Sequence, residues 1–313
     1  MTAVARPRRT LHFDWRIVAI APFVLWTGWC FSIGERRWEQ MALFILAPLL
    51  AYGRPWMKRL FSGLYPMGLL GLVYDSMRFV KNAGVTPQRV HVCDLRALDA
   101  RLFGVGLGSA RESLPEWFQA HHVTLLDLVC AVPYGAFLFI TVGFAVFLYR
   151  KDYETMRRFA WTFLLVNIAG FVTYHVYPAA PPWYYQAHGC SVVDLATPAS
   201  AGPNLTRVDA ILGVPFFTGL YGRSNDVFGA VPSLHVAYPT SILLFGWPHL
   251  RRVGRALALV FLVTMTFGAI YLDHHWVIDV VVGFAYTVAT YLLVQSVGAR
   301  VQAWNAAAAA QAS

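Results

Sequence analysis

Charge is what this chain has least of: Asp, Glu, Lys and Arg make up 13% of its 313 residues, against 58% hydrophobic. So little charge excludes a soluble domain of this length. Acidic residues are scarcer still, 16 against 25 basic, for a net charge of +9. The basic residues form short clusters between apolar runs rather than one continuous face, which argues for orientation in a bilayer and against a nucleic-acid partner. Cysteine is limited to four residues, too few for a disulfide-built scaffold. Cys30 and Cys130 fall inside apolar runs as packed thiols. Cys93 and Cys190 fall in two segments placed on one side of the membrane, where they either pair or stay free, since nothing in the sequence sets their separation. Internal repeats and a second soluble domain are also lacking.

What is present is a series of apolar runs, each compared with the ~20 residues that a bilayer crossing needs. They lie near 17–33, 40–53, 60–77, 123–149, 158–177, 231–249, 253–273 and 276–297. The second and third are short and broken by Gly and Pro. Arg6, Arg8 and Arg9 precede the first run, and no small-x-small cleavage site follows Ile33, so this run reads as a retained signal anchor. Arg150, Lys151, Arg157 and Arg158 join the fourth and fifth runs, and Arg251, Arg252 and Arg255 join the sixth and seventh. Both loops are therefore expected in the cytoplasm, together with both termini and the Arg54-Lys58-Arg59 turn. Arg36 and Arg37 dissent, offset in part by Glu35 and Glu39.

Two long segments then face the other side. In 78–122, Leu95, Leu98, Leu102 and Phe103 recur at helical spacing around Arg96 and Arg101, the pattern of an amphipathic helix lying at the interface or packed over the bundle. Residues 178–230 are rich in Pro, Gly, Ser and aromatics, which predicts a turn-laden cap rather than a helix. The expected organisation is N-terminal helices and the amphipathic segment over 1–122, a membrane core over 123–300 that includes the cap, and a fraying alanine tail over 301–313.

Two polar knots interrupt the apolar pattern. Gly229-Ala-Val-Pro-Ser-Leu-His235 opens the sixth run, and Tyr271-Leu-Asp-His-His-Trp-Val-Ile-Asp279 opens the eighth. The topology brings both to the extracytoplasmic side at similar depth, and ionisable groups there are candidates for function. His275 and Asp279 share a helix face at i,i+4. Asp279 can then hold one ring nitrogen of His275 and leave the other free to attack phosphorus, while His235 donates a proton to the departing oxygen. Ser233 and the unpaired N–H groups of the first turn offer donors to phosphate oxygens, and Pro232 suits a first turn because it has no N–H to leave unpaired. His274 points about 100° around the helix and is placed behind His275. His235, His275 and Asp279 could also form a three-ligand metal set. The i,i+4 geometry favours Asp279 holding His275 instead, so neither metal nor cofactor is expected.

These residues carry a resemblance. Gly229–His235 and His275-x-x-x-Asp279 are similar to the second and third signature motifs of the type 2 phosphatidic acid phosphatase superfamily, which includes the vanadium haloperoxidases. Within it the chain resembles the inositol phosphorylceramide synthase branch, through Tyr177-Pro-Ala-Ala-Pro-Pro-Trp183, Phe228-Gly-Ala-x-Pro-Ser-Leu-His235 and Tyr271-Leu-x-His-His275. The similarity covers about 160–297. It implies an all-α polytopic membrane protein, with a six-helix phosphatidic-acid-phosphatase-like core, additional N-terminal helices and an external cap. It also implies His275 as nucleophile forming a phosphohistidine, Asp279 orienting it and His235 as acid and base.

The chain departs from the family in two places. The first motif, Lys-x6-Arg-Pro, is absent at the expected distance, because Arg54-Pro55 lies far upstream without the Lys. Gly268-Ala269 stand where the phosphatases carry Ser-Arg. Phosphate charge must then be met by other groups, and Arg223, Tyr174 and His175 are the candidates. Asp226 either pairs with Arg223 or contacts a polyol, and Pro181-Pro182-Trp183 reads as a rigid lip of the pocket. The function expected from the resemblance is transfer of a phosphorylated polar head group, plausibly phosphoinositol, from a lipid donor to a lipid alcohol. Two alternatives stay open: a phosphatase acting on phosphatidate or polyprenyl phosphate, and a non-catalytic lipid transporter or scaffold. The sequence does not decide the oligomeric state.

Overall fold

The computed structural model describes residues 14–108, 111–191, 193–224 and 226–312. Arg6, Arg8 and Arg9 lie outside the described residues. Each of the eight apolar runs is a helix: α1 (Trp15–Ser32), α2 (Trp38–Tyr52), α3 (Pro55–Val80), α6 (Thr124–Lys151), α7 (Tyr153–Val176), α11 (Leu234–Gly246), α12 (Arg252–Tyr271) and α13 (Val277–Ala312). Short helices fill the connections: α4 (Cys93–Phe103), α5 (Leu114–Ala120), α8 (Pro182–His188), α9 (Gly202–Leu212) and α10 (Phe216–Tyr221). Five helices are long and apolar enough to cross a membrane, namely α1, α6, α7, α12 and α13, while α2 and α11 are apolar but shorter. The protein is an all-α integral membrane protein; among the described residues, β pairing is limited to isolated bridges.

The chain clusters into two compact units, divided between Leu72 and Val73. In the first, α1 and α2 pack together, and Phe23, Ala47, Ala51, Phe61 and Leu72 form a small core. In the second, α11 touches α6, α7, α12 and α13 and stands at the centre of their bundle. Nine of its residues are buried, including Val236, Ala237, Tyr238 and Phe245, so a helix that is apolar all round is enclosed all round. α6 and α7 are separated only by Asp152, whose carboxylate caps α7 by accepting from the N–H groups of Glu154 and Thr155.

Two expectations are corrected. The segment 178–230 holds three helices, α8 to α10. Pro182 and Pro203 stand at the starts of α8 and α9, where a missing N–H costs nothing, and Gly213 closes α9 at a left-handed φ of 70°. The alanine tail does not fray into coil: α13 runs on to Ala312, as the high helix propensity of alanine favours. The buried face of α4 is Leu95, Asp99 and Ala100, while Leu98, Leu102 and Phe103 are exposed. Cys93 and Cys190 do pair, with Cα atoms 5.8 Å apart, and tie the start of α4 to the segment after α8.

Candidate active site

The first knot is shaped by its backbone. Ser233 is the N-cap of α11, and its N–H donates to the carbonyl oxygen of Asp279 at 2.9 Å, so the two knots are joined directly. α13 comes close enough to allow this because residue 283 is glycine; a Cβ there would meet Val236 Cγ2 at 2.8 Å. Gly229 plays the same part against Tyr174, whose ring a Cβ would approach to 2.8 Å.

Tyr177–Trp183 is an internal brace rather than a lip. Ala179 donates its N–H to Phe228 O and accepts from Ala230 N, Ala180 O accepts from Trp276 Nε1 at 2.9 Å, and Trp183 N donates to Asp273 O at 3.0 Å. One short segment therefore holds both knots, and burial of Ala179 and Ala180 leaves no room for larger side chains.

The second knot depends on carboxylates. α12 ends at Tyr271, whose hydroxyl accepts from Val123 N and donates to Asp127 Oδ1, both at 2.9 Å. The buried Asp127 also binds Asn204 and Arg207 of α9, so it links α6, α9 and the end of α12. Asp273 reverses the chain at a left-handed φ of 70°, a conformation that Asp tolerates better than most residues. Its Oδ1 accepts from Gln186 at 2.7 Å. α13 then starts under two acids: Asp279 Oδ2 reaches back to Trp276 N at 2.8 Å, and Asp99 of α4 accepts from Ile278 N at 3.0 Å. The second contact is a helix cap supplied from 179 residues away. Burial pushes the Asp99 carboxyl up to about 6, with nearby Asp279 and Glu116 adding to the shift.

The two histidines meet between the knots. His235 Nδ1 lies 3.0 Å from His275 Nε2, and His275 Nδ1 lies 2.9 Å from the carbonyl oxygen of Ala230. A carbonyl only accepts, so His275 carries its proton on Nδ1, its Nε2 is the basic nitrogen, and His235 donates to it from Nδ1. Asp279 Oδ2 stands 3.4 Å from His275 Nδ1. The orienting hydrogen bond that the i,i+4 spacing predicted for Asp279 is thus made by Ala230, because His275 precedes the helix and Asp279 is turned toward Trp276 N. Asp279 remains near enough to stabilise positive charge on the ring. His235 stacks on Tyr134 of α6, with ring centroids 4.6 Å apart, and meets Phe137 and Tyr221 at larger angles.

The other predicted residues are distributed around this pair. Ser233 Oγ is buried without a hydrogen-bond partner in the described residues. His274 Nε2–H donates to Ala201 O at 2.8 Å, and its ring edge meets Tyr134. Tyr174 donates to Pro232 O at 3.2 Å, and both ring nitrogens of His175 lie 2.9 Å from carbonyl oxygens, of Phe171 and Val80. Both residues are therefore hydrogen-bonded within the protein. Arg223 is exposed just beyond α10, and no ion pair joins it to Asp226 among the described residues. Burial pushes the Asp226 carboxyl up to about 6, opposed by His175 and Lys81. Among the described residues no three His, Cys, Asp or Glu side chains form a metal-binding group. Asp99, Ala230, Tyr134 and Asp127 were missed; only Asp127, an acid inside an apolar run, carried a signal that could have been read.

α11 and the turn before α13 thus bring the half-buried His235 and the buried His275 together beside Asp279. A family model described as the PAP2 superfamily matches residues 95–293, and the chain belongs to that superfamily. It is an enzyme of the phosphotransferase type. It is 35% identical over 271 residues to the phosphoinositol dihydroceramide synthase of Bacteroides thetaiotaomicron, covering 86% of this chain and 87% of that protein. The inositol phosphorylceramide synthase catalytic subunit of Schizosaccharomyces pombe is 27% identical over 72% of this chain, and the inositol phosphorylceramide synthase of Candida albicans 28% over 60%. The chain spans 51% and 39% of those two fungal proteins. No solved structure gives a significant match.

Proposed function

We propose that this enzyme transfers phosphoinositol from a lipid donor to the hydroxyl of a ceramide-type lipid, through a covalent intermediate on His275. The observation that carries the reading is the histidine pair itself, with His275 Nε2 facing His235 Nδ1 at 3.0 Å. The substrate pair is that named for the bacterial phosphoinositol dihydroceramide synthase, which the chain matches over most of both lengths.

Donor phosphate enters between the two rings. His275 Nε2 attacks phosphorus, the bond from phosphorus to the lipid alkoxide breaks, and His235, entering the step as the imidazolium with its Nε2–H toward the Tyr221 hydroxyl 3.4 Å away, gives that oxygen its Nδ1 proton and becomes neutral. The acceptor hydroxyl then loses its proton to His235 and attacks phosphorus, and the P–N bond breaks to restore His275. Asp279, 3.4 Å from His275 Nδ1, stabilises the cationic ring of the intermediate. The unpartnered Ser233 hydroxyl and the first N–H groups of α11 donate to phosphate oxygens, and Arg223 supplies the cation. Asp226, without a described partner, accepts from polyol hydroxyls, and His274 holds the wall behind His275. The site faces the extracytoplasmic side, opposite the cationic loops.

Purified protein in bilayers, given a labelled phosphoinositol lipid and ceramide, should yield a new head-grouped sphingolipid by mass spectrometry. Free inositol phosphate as the main product would replace transfer with hydrolysis, and two unchanged lipids would reject both.

A further inference from the structure

α6 serves as a ruler for depth. Its cationic end, Arg150 and Lys151, marks one edge of the hydrocarbon. His249, just past α11, lies 3.9 Å from Asp152, so α11 ends at the same level. α11 has only 13 residues. At ~1.5 Å per residue its start lies about 20 Å from that edge, and Gly135 about 23 Å, within a core about 30 Å thick. The first knot therefore opens inside the hydrocarbon layer, not at its surface.

The α9–α10 hairpin reaches that depth. A Cβ on Gly135 would lie 3.1 Å from the Phe216 ring and 3.4 Å from that of Phe217, so both rings rest on α6 there. Residues 210–216 are all exposed and carry no charge, with Ile211, Leu212 and Val214 each 53% and Phe216 47% exposed. Gly135 shares its helix face with Val132 and Phe139, which are 69% and 78% exposed, so the hairpin tip continues the lipid-facing stripe of α6. Two N–H groups at the start of α10 are satisfied from within the hairpin: the carboxylate of the buried Asp209 accepts from Phe217 N and Thr218 N. Cations stand only at the flanks. Arg207 is held at Asp127, nearer the far end of α6, and Arg223 follows α10.

We propose that α9–α10 is a re-entrant hairpin whose tip, residues 210–216, is covered by the acyl chains of bilayer lipids beside the histidine pair. Tyr221 at its end donates to Tyr134 O at 2.9 Å, and Tyr134 stacks on His235, so acyl chains on the hairpin run directly alongside the site.

A nitroxide attached to Val214→Cys in the full-length protein, reconstituted in phospholipid nanodiscs, tests this. Cys30 and Cys130 are buried and Cys93 is paired with Cys190, so the introduced thiol is the reactive one. Controls are Val263→Cys on the exposed apolar face of α12 and Gln88→Cys in an exposed turn. Relaxation by oxygen relative to a water-soluble nickel chelate should match Val263→Cys and exceed Gln88→Cys by about tenfold, since the bilayer core excludes water. A ratio like that of Gln88→Cys would overturn the proposal, as would protection from both reagents, which would mean that a protein surface covers the tip. The readout needs no substrate, so it stands apart from the transfer reaction.

Discussion

His235 and His275 touch each other, yet their surroundings have little in common. His235 enters on a helix that is apolar all round and sits among the rings of Tyr134, Phe137 and Tyr221. His275 sits on a turn whose helix is capped by two carboxylates, Asp279 from its own segment and Asp99 from α4. Only the second setting suits a ring that must carry positive charge for the lifetime of an intermediate. The first suits a ring that passes a proton and returns to neutral. That contrast is the physical ground for the division of roles proposed above.

Substitutions should break the comparison unequally. His275→Ala should lower turnover by about three to four orders of magnitude, the cost of removing a nucleophile. His235→Ala should cost about 10²- to 10⁴-fold, and only this variant should gain when the departing group is a good one that needs no proton. Steady-state assays with a natural lipid donor and with an activated phosphodiester separate the two; equal losses on both donors would remove the distinction. Asp279→Asn should lower kcat at least about tenfold, equivalent to ~1.4 kcal/mol, with little change in KM, because its charge acts only on the charged ring.

Asp99 acts at one remove, by holding α13. Asp99→Ala should lower kcat by roughly tenfold through misplacement of His275, while Asp99→Asn, whose amide oxygen still accepts from Ile278 N, should restore most of it. The smallest effect is on stability. The folded Asp99 carboxyl titrates near 6, above its ordinary value of 3.8, so between those values the folded protein binds the extra proton. Stability should therefore fall as pH rises through about 6, and Asp226 contributes with the same sign. Melting followed from pH 4 to pH 7 should show that decline, levelling off above about 6, with a shallower slope in Asp99→Asn.

The contrast between the knots also explains what could be read from the sequence. Apolar runs and the His275–Asp279 spacing are local patterns, so the eight helices and the two histidines were legible. The partner of His275 was not, because a backbone carbonyl such as that of Ala230 leaves no mark in a side-chain pattern. Asp99 was hidden by distance: on α4 it resembles the polar side of an amphipathic helix, and only packing shows that Leu95, Asp99 and Ala100 face inward. The helices of the cap could have been found, since Pro203 and Gly213 are start and stop signals, but an overall Pro- and Gly-rich composition masked them.

The central claim is that the bond to phosphorus forms at His275 Nε2 and not at His235. Enzyme incubated with phosphorus-labelled phosphoinositol donor without acceptor, quenched in base and peptide-mapped, measures this directly. The account predicts base-stable, acid-labile label on the peptide containing His275, lost on addition of ceramide. Label on the His235 peptide, or full turnover with no trapped label on His275, would contradict it.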